Sequence, residues 1–183
     1  PLRQKFVRSL IDEKGFETVR IGEDESVEVK MPAPEVNLLL LSSHILKHAL
    51  GVGIGLRQFC DYAVACRYYA DRVDPKEMRE IWRRTGLSRW SELLDGFVSD
   101  VIAKRAKPDV AISSKKSSIL LDIILKGDNF GVYSKDRAVA SRNVLSRKAH
   151  TLKSFVGNMR FALAYAPGEW FWTAAQLMGG QLR

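Results

Sequence analysis

The chain has 183 residues, of which 46% are hydrophobic, and a formal net charge of +8, which is an ordinary composition for a one-domain globular protein. No apolar run approaches the roughly 18 residues of a membrane-spanning helix, so we expect no membrane partner. The two cysteines, Cys60 and Cys66, form neither a disulfide framework nor a CxxC pair. We therefore expect reduced thiols and a cytoplasmic location.

The N-terminal 34 residues predict a helix followed by a β-hairpin. Apolar residues recur at helical spacing in LRQKFVRSLIDEK (2–14), and Gly15 ends that pattern. Apolar and polar residues then alternate on both sides of an acidic turn in ETVRIGEDESVEVKMP (17–32). We interpret residues 1–34 as a junction region and residues 35–183 as a helical domain.

The remainder of the chain predicts helices and loops. Glu35 opens an apolar helix that ends at Gly51, and Asp74 with Pro75 marks the start of another helix by side-chain capping. The predicted helices in this part span residues 35–50, 54–70, 75–85, 88–102, 118–126, 136–165 and 169–178, with a basic loop over 104–118. The sequence thus predicts a mainly α protein with about seven or eight helices and one small N-terminal hairpin.

Two histidines lie near the end of the first apolar helix. His44 and His48 are four residues apart and therefore project from one helical face. Zinc proteases use this spacing, but their motif needs a Glu directly after the first His, and Ile45 stands there. We expect these imidazoles to hydrogen-bond beside the core or to line a pocket, and we predict no metal site.

Three glycines follow the histidines. The dinucleotide-binding fingerprint is G-x-G-x-x-G after a strand, whereas Gly51, Gly53 and Gly55 give G-x-G-x-G after a helix. The remaining interpretation is a turn into a helix whose first turn carries Arg57. Free amides and a guanidinium there can hold a phosphate or carboxylate. Alternatively, Arg57 pairs with Asp61 four residues later.

The charge is unevenly distributed. Residues 1–100 hold 15 Lys and Arg against 16 Asp and Glu, whereas residues 101–183 hold 14 against 5. The C-terminal part therefore carries all of the excess positive charge and favours an anionic partner such as nucleic acid. The candidate polyanion-binding residues follow one face of the predicted helix 136–165. They are Arg142, Arg147, Lys148, Lys153 and Arg160.

LLSSHILKHALGVGIGLRQFCDYAV (40–64), followed by GDNFG (127–131), resembles the uncharacterised nucleotidyltransferase-like proteins of bacteria. Their order is an NPLRNRFLQRF-like segment, an HxxKH helix, a GxGLRQxxD turn and an NFG stretch. The resemblance covers most of residues 1–131. GIGLRQFCD (53–61) is its most specific part. By this resemblance Arg57, Gln58 and Asp61 are the carried-over site positions, and His44 and His48 join them as candidate substrate or anion contacts.

The resemblance also implies what this chain does not carry. Nucleotidyltransferases of this fold hold Mg²⁺ and an NTP with a Gly-Ser or Gly-Gly turn, a strand Asp-x-Asp and a later strand carboxylate. By the family's order these elements would precede Pro1. We therefore expect the C-terminal helical part of an enzyme that transfers a nucleotidyl group to an unknown acceptor. On this interpretation the chain has no catalytic residue, binds no cofactor of its own and is inactive without its N-terminal catalytic half.

A second hypothesis assigns the chain to a different functional class. On this hypothesis the chain is a non-catalytic helical module whose basic C-terminal region binds nucleic acid or another polyanion. No helix-turn-helix signature and no interleaving of aromatic and basic residues supports this alternative, so it rests on the charge distribution alone.

Overall fold

A computed structural model describes residues 2–22, 26–50, 54–103, 115–127, 159–168, 171 and 175. Over these ranges the chain forms seven α-helices and one two-stranded antiparallel hairpin, which confirms the predicted mainly α class. The elements in chain order are α1 (Leu2–Lys14), β1 (Phe16–Ile21), β2 (Val27–Pro32), α2 (Pro34–Leu50), α3 (Leu56–Tyr68), α4 (Pro75–Thr85), α5 (Ser88–Phe97), a π-helical segment (Val98–Ala103), α6 (Lys115–Gly127) and α7 (Met159–Tyr165).

Helix α2 is the centre of the core, as its nearly continuous apolar sequence predicts. It packs against α1, α3, α5 and β2. Its Ser42 is fully buried and receives a hydrogen bond from Trp90 of α5, with Nε1 2.9 Å from the Ser42 hydroxyl oxygen and 3.2 Å from its carbonyl oxygen. Helices α3 and α5 meet through Phe59 and Phe97, whose ring centroids are 4.8 Å apart. Because α5 is held on two sides in this way, its position relative to α3 is well defined.

The predicted hairpin forms between β1 and β2. Val19 pairs with Val29 and Ile21 pairs with Val27, so the apolar residues of both strands share one face. At the base of the hairpin, Glu17 accepts hydrogen bonds from the Arg72 guanidinium at 2.6 Å. This contact joins β1 to the segment between α3 and α4.

Helix α4 begins and ends as its local sequence predicts. The Asp74 carboxylate accepts a 2.8 Å hydrogen bond from the backbone N–H of Lys76, and Pro75 occupies the first turn. Gly86 ends the helix with φ of +70°, a left-handed conformation that favours glycine. Glu77 lies 2.7 Å from Lys14 Nζ and so ties α4 to α1.

Two boundaries differ clearly from the predicted ones. The predicted helix 88–102 is α-helical only to Phe97 and continues as the π-helical segment, whose Ile102 still reaches the core. Helix α6 starts at Lys115, inside the predicted loop, because its fully buried Leu120 and its packing on α5 stabilise the helix despite two lysines at its positive end. The predicted helices 136–165 and 169–178 lie mostly outside the described residues. No helix among the described residues has the length and apolarity that crossing a membrane requires.

Candidate functional site

The two histidines lie beside each other on α2, as the spacing predicts. Their ring centroids are 4.5 Å apart in an edge-to-face arrangement, with His44 exposed and His48 half-buried. Burial lowers the pKa of His48, and the neighbouring His44 and Lys47 lower it further. His48 is therefore biased toward the neutral imidazole. Across the described ranges, no three His, Cys, Asp or Glu side chains are grouped so that they could hold a metal ion.

The other predicted positions occupy the first two turns of α3. Arg57 and Asp61 are exposed, and the described contacts include no salt bridge between them, so the predicted intrahelical pair does not form. Gln58 is half-buried, and its Oε1 atom is buried without a hydrogen-bond partner. Gly55, the residue before the helix, provides no side-chain cap for the first amides. The first turn of α3 therefore keeps free backbone donors beside an exposed guanidinium.

A larger feature lies further along the same helix. Helices α3, α4 and α5, together with Leu38 of α2, line an open groove of about 550 Å³. We call it the α3–α5 groove. Its lining residues are Leu38, Tyr62, Cys66, Tyr69, Ala70, Val73, Pro75, Met78, Arg79, Trp82, Arg83, Ser88, Ser91, Glu92 and Asp95.

The inner wall of the groove is aromatic and apolar. Tyr62, Tyr69, Met78 and Trp82 are each less than 10% exposed, so the groove reaches into the hydrophobic core. The Tyr69 hydroxyl accepts a 2.8 Å hydrogen bond from Asn37 Nδ2, which fixes the end of α3 against the start of α2.

The polar end of the groove is built around Asp95. The Tyr62 hydroxyl donates a 3.1 Å hydrogen bond to Asp95 Oδ1. Asp95 is an exposed residue, yet the surrounding helices raise the pKa of its carboxyl group because partial burial disfavours the charged form. The Tyr62 hydrogen bond opposes this effect by stabilising the carboxylate. Asp95 is thus an accessible carboxylate with an unfavourable electrostatic environment.

Tyr62 and Cys66 both have raised pKa values, which keep them protonated near pH 7. Burial is the main cause that raises the pKa of Tyr62, and the nearby Asp95 charge raises it further. Burial also raises the pKa of the Cys66 thiol to about 11. Both groups are therefore neutral near pH 7, and a neutral thiol is a poor nucleophile. The arrangement favours binding over covalent chemistry.

Two arginines of α4 line the mouth of the groove. Arg83 forms two hydrogen bonds, at 2.6 and 2.7 Å, with the Glu80 carboxylate one turn earlier. Arg79 is exposed, and no salt bridge to it occurs among the described contacts. On α5, Ser91 donates a 2.9 Å hydrogen bond to the Ser88 carbonyl oxygen, so its hydroxyl is already committed within the helix.

The structure separates the predicted site from this groove. Gln58 and Tyr62 are four residues apart on α3, so one helix carries both features, but Arg57, Gln58, Asp61, His44 and His48 do not line the groove. Sequence reasoning missed Asp95, whose only local signal is one acidic residue within the apolar stretch LLDGF (93–97). Of the polyanion candidates, Arg160 is exposed on α7, while Arg142, Arg147, Lys148 and Lys153 lie outside the described residues.

Comparison with known proteins supports the resemblance carried by the GxGLRQxxD turn. A family model described as an uncharacterised nucleotidyltransferase matches residues 5–97. The match includes every residue that lines the α3–α5 groove. No curated protein and no solved structure matches the chain. Because the family model covers about half of the 183 residues, the chain belongs to this uncharacterised nucleotidyltransferase family.

Proposed function

We propose that this chain supplies the helical part of a nucleotidyltransferase and that the α3–α5 groove binds the acceptor of the transferred nucleotide. The observation that supports this role is the position of the groove, since all of its lining residues fall within the family match. A cavity of about 550 Å³ also has the size of a small-molecule site. The aromatic wall would exclude water from one side of the acceptor, and Asp95 would accept a hydrogen bond from its polar group.

The family implies Mg²⁺ and an NTP, and the described side chains do not fit a Mg²⁺ site. Such a site needs several oxygen ligands, usually including carboxylates, and no suitable group of three acidic, His or Cys side chains occurs in the described ranges. We assign no step of the transfer to a metal held by these residues. Following the family's order, we propose that the metal-binding carboxylates belong to a catalytic half before Pro1.

The first turn of α3 is the proposed contact with that half or with the NTP. Arg57 presents an exposed guanidinium, and the uncapped amides next to it favour an anion. Gln58 and Asp61 lie near the same end of α3, and His44 and His48 lie on the preceding helix, α2. Replacing Arg57 by Ala should raise the apparent KM for NTP about tenfold, which corresponds to one charge-assisted hydrogen bond. Arg67→Ala, an exposed arginine at the other end of α3, should leave KM unchanged.

A transfer assay tests the proposal. The full-length gene product and the isolated chain of residues 1–183 are incubated with Mg²⁺, each labelled NTP in turn and a mixture of small hydroxylated and amine-bearing acceptors. We expect labelled product from the full-length protein only. If the folded full-length protein transfers no label from any NTP, the proposed activity is wrong. If residues 1–183 alone transfer label, the proposed division of labour is wrong.

The charge distribution supports a second candidate function. Residues 101–183 carry a net charge of +9, and Arg160 is exposed on α7. A module that binds a polyanion through this region would show an affinity for duplex or single-stranded nucleic acid that falls steeply with salt concentration. Binding that is weak and independent of salt would remove this candidate.

A further inference from the structure

The α3–α5 groove combines a carboxylate with an aromatic wall and has the volume of a small-molecule site. Its wall includes the buried rings of Tyr62, Tyr69 and Trp82. The Arg72 guanidinium already lies 5.5 Å from the centroid of the Tyr69 ring, so this wall offers a ligand apolar contact rather than a free ring face for a second cation. The charge at the groove therefore decides which kind of small molecule it suits.

Asp95 has no cationic partner among the described residues. Its contact within the groove is the neutral Tyr62 hydroxyl at 3.1 Å. Arg83 is held by Glu80 at 2.6 Å, and exposed Arg79 makes no salt bridge with Asp95. Six other charged or titratable residues line the groove with Asp95. They are Tyr62 and Cys66 on α3, Tyr69 directly after α3, Arg79 and Arg83 on α4, and Glu92 on α5.

The electrostatic environment of Asp95 agrees with this missing partner. Burial raises the pKa of its carboxyl group, and the hydrogen bond from Tyr62 is what opposes the rise. An arginine that neutralised the carboxylate would lower that pKa, and neither Arg79 nor Arg83 contributes to it. Glu92 adds a second carboxylate to the same wall. A positively charged group in the groove would stabilise the charged form of Asp95, which burial disfavours.

We propose that the α3–α5 groove binds a small organic cation, with its ammonium group against Asp95 and its apolar body against Tyr62, Tyr69 and Trp82. The further statement that this cation is the acceptor of the transferred nucleotide rests on the proposed function. The binding step itself stands on the groove alone. An anionic ligand would pair with Arg79 at the mouth but would bring its charge toward Asp95 and Glu92. A neutral apolar ligand would leave the carboxylate without a partner.

Three probes of similar shape and different charge test the proposal with the full-length protein. They are 2-phenylethylamine, 2-phenylethanol and 3-phenylpropionate. Binding is followed by NMR through the indole N–H signal of Trp82, assigned by comparison with Trp82→Phe. We expect the amine to shift that signal with a Kd at least tenfold lower than the Kd of the alcohol or the acid, since a hydrogen bond to a charged group contributes about this factor.

Two variants locate the binding. Asp95→Asn keeps an acceptor for Tyr62 and removes the charge, so it should weaken amine binding about tenfold. Asp71→Asn removes an exposed carboxylate outside the groove and should bind the amine like the wild type. Tyr62→Phe removes the hydrogen bond that stabilises the carboxylate, so amine binding should be lost at a higher pH than in the wild type as the solution is acidified.

Each contrary outcome overturns the inference. Equal affinity for the amine and the alcohol would mean that the groove is a purely apolar site. Tighter binding of phenylpropionate would mean that Arg79 dominates, and no shift of the Trp82 signal by saturating amine would mean that the groove binds no such cation. Because these measurements need neither Mg²⁺ nor NTP, amine binding without transfer would leave the cation site standing while the proposed acceptor role fails.

Discussion

The hydrogen bond between Trp90 and Ser42 joins the central helix to the helix that carries Asp95, and we expect Trp90→Phe to destabilise the protein by about 3 kcal/mol. Both residues are fully buried, and Trp90 Nε1 lies 2.9 Å from the Ser42 hydroxyl oxygen. About 2 kcal/mol comes from the cavity that the smaller ring leaves. About 1 kcal/mol comes from the buried Ser42 hydroxyl that loses its donor.

A double-mutant cycle separates these two contributions. Ser42→Ala alone should cost only about 1 kcal/mol, because Trp90 Nε1 keeps the Ser42 carbonyl oxygen as an acceptor at 3.2 Å. The double variant should cost about 3 kcal/mol rather than about 4 kcal/mol, since no unpaired hydroxyl remains beside Phe. Urea unfolding followed by circular dichroism measures all four proteins, with equal m-values as the control for two-state behaviour.

Additivity would refute this reasoning. If the two single losses sum to the loss of the double variant within about 0.5 kcal/mol, the hydrogen bond contributes no coupling and the α2–α5 contact is apolar packing alone. A Trp90→Phe loss below about 1 kcal/mol would also contradict it, because the core would then have closed around the smaller ring.

Three further predictions concern other contacts. Lys14→Met should cost about 1 kcal/mol at pH 7 because it removes the 2.7 Å pair with Glu77. The hydrogen bond with Glu77 is the main cause that raises the pKa of Lys14 above 10.5. The difference in unfolding free energy between the wild type and Lys14→Met, measured in urea, should therefore shrink as the pH rises beyond that value. A difference that stays constant with pH would exclude the ion pair as its cause. Asp95→Asn should gain stability relative to the wild type as the pH rises from 3 to 7. The reason is that the pKa of Asp95 in the folded protein is raised above 3.8, so the wild type loses stability over the pH range where the unfolded carboxyl group ionises before the folded one. A stability difference between the two proteins that does not change with pH would contradict the raised pKa. Gly86→Ala should lower stability by about 1 kcal/mol because its φ of +70° is strained for a residue with a Cβ. A steric clash does not add to this loss, since a Cβ at this position meets nothing within 4 Å. An unchanged urea midpoint would show that the turn adapts.

Features set by neighbours in the chain could be predicted from the sequence. The hairpin followed from alternating apolar residues and an acidic turn, and its register pairs Val19 with Val29. The start of α4 followed from Asp74 and Pro75, because capping needs only groups within a few residues. The most specific part of the family resemblance is one contiguous segment, GIGLRQFCD (53–61), and the family model that matches residues 5–97 confirmed the resemblance.

The buried face of α3 shows where this reasoning stopped. Apolar spacing along this helix predicts one face with Leu56, Phe59, Cys60 and Ala63. In the structure Phe59 is buried, but so is Tyr62, which has a polar hydroxyl that spacing alone does not place in a core. Tyr62 is buried because Asp95 lies 3.1 Å from that hydroxyl on another helix.

The sequence by itself determined the helical class, the hairpin, the caps of α4 and the family, since each depends on residues close together in the chain. Only the tertiary structure decided the α3–α5 groove. Its lining residues run from Leu38 to Asp95, and Tyr62 and Asp95 are 33 residues apart. The ion pair of Glu77 with Lys14 is likewise a result of the fold, because these residues belong to different helices and lie 2.7 Å apart. A contact between distant segments depends on how whole helices pack, and no local pattern records that packing.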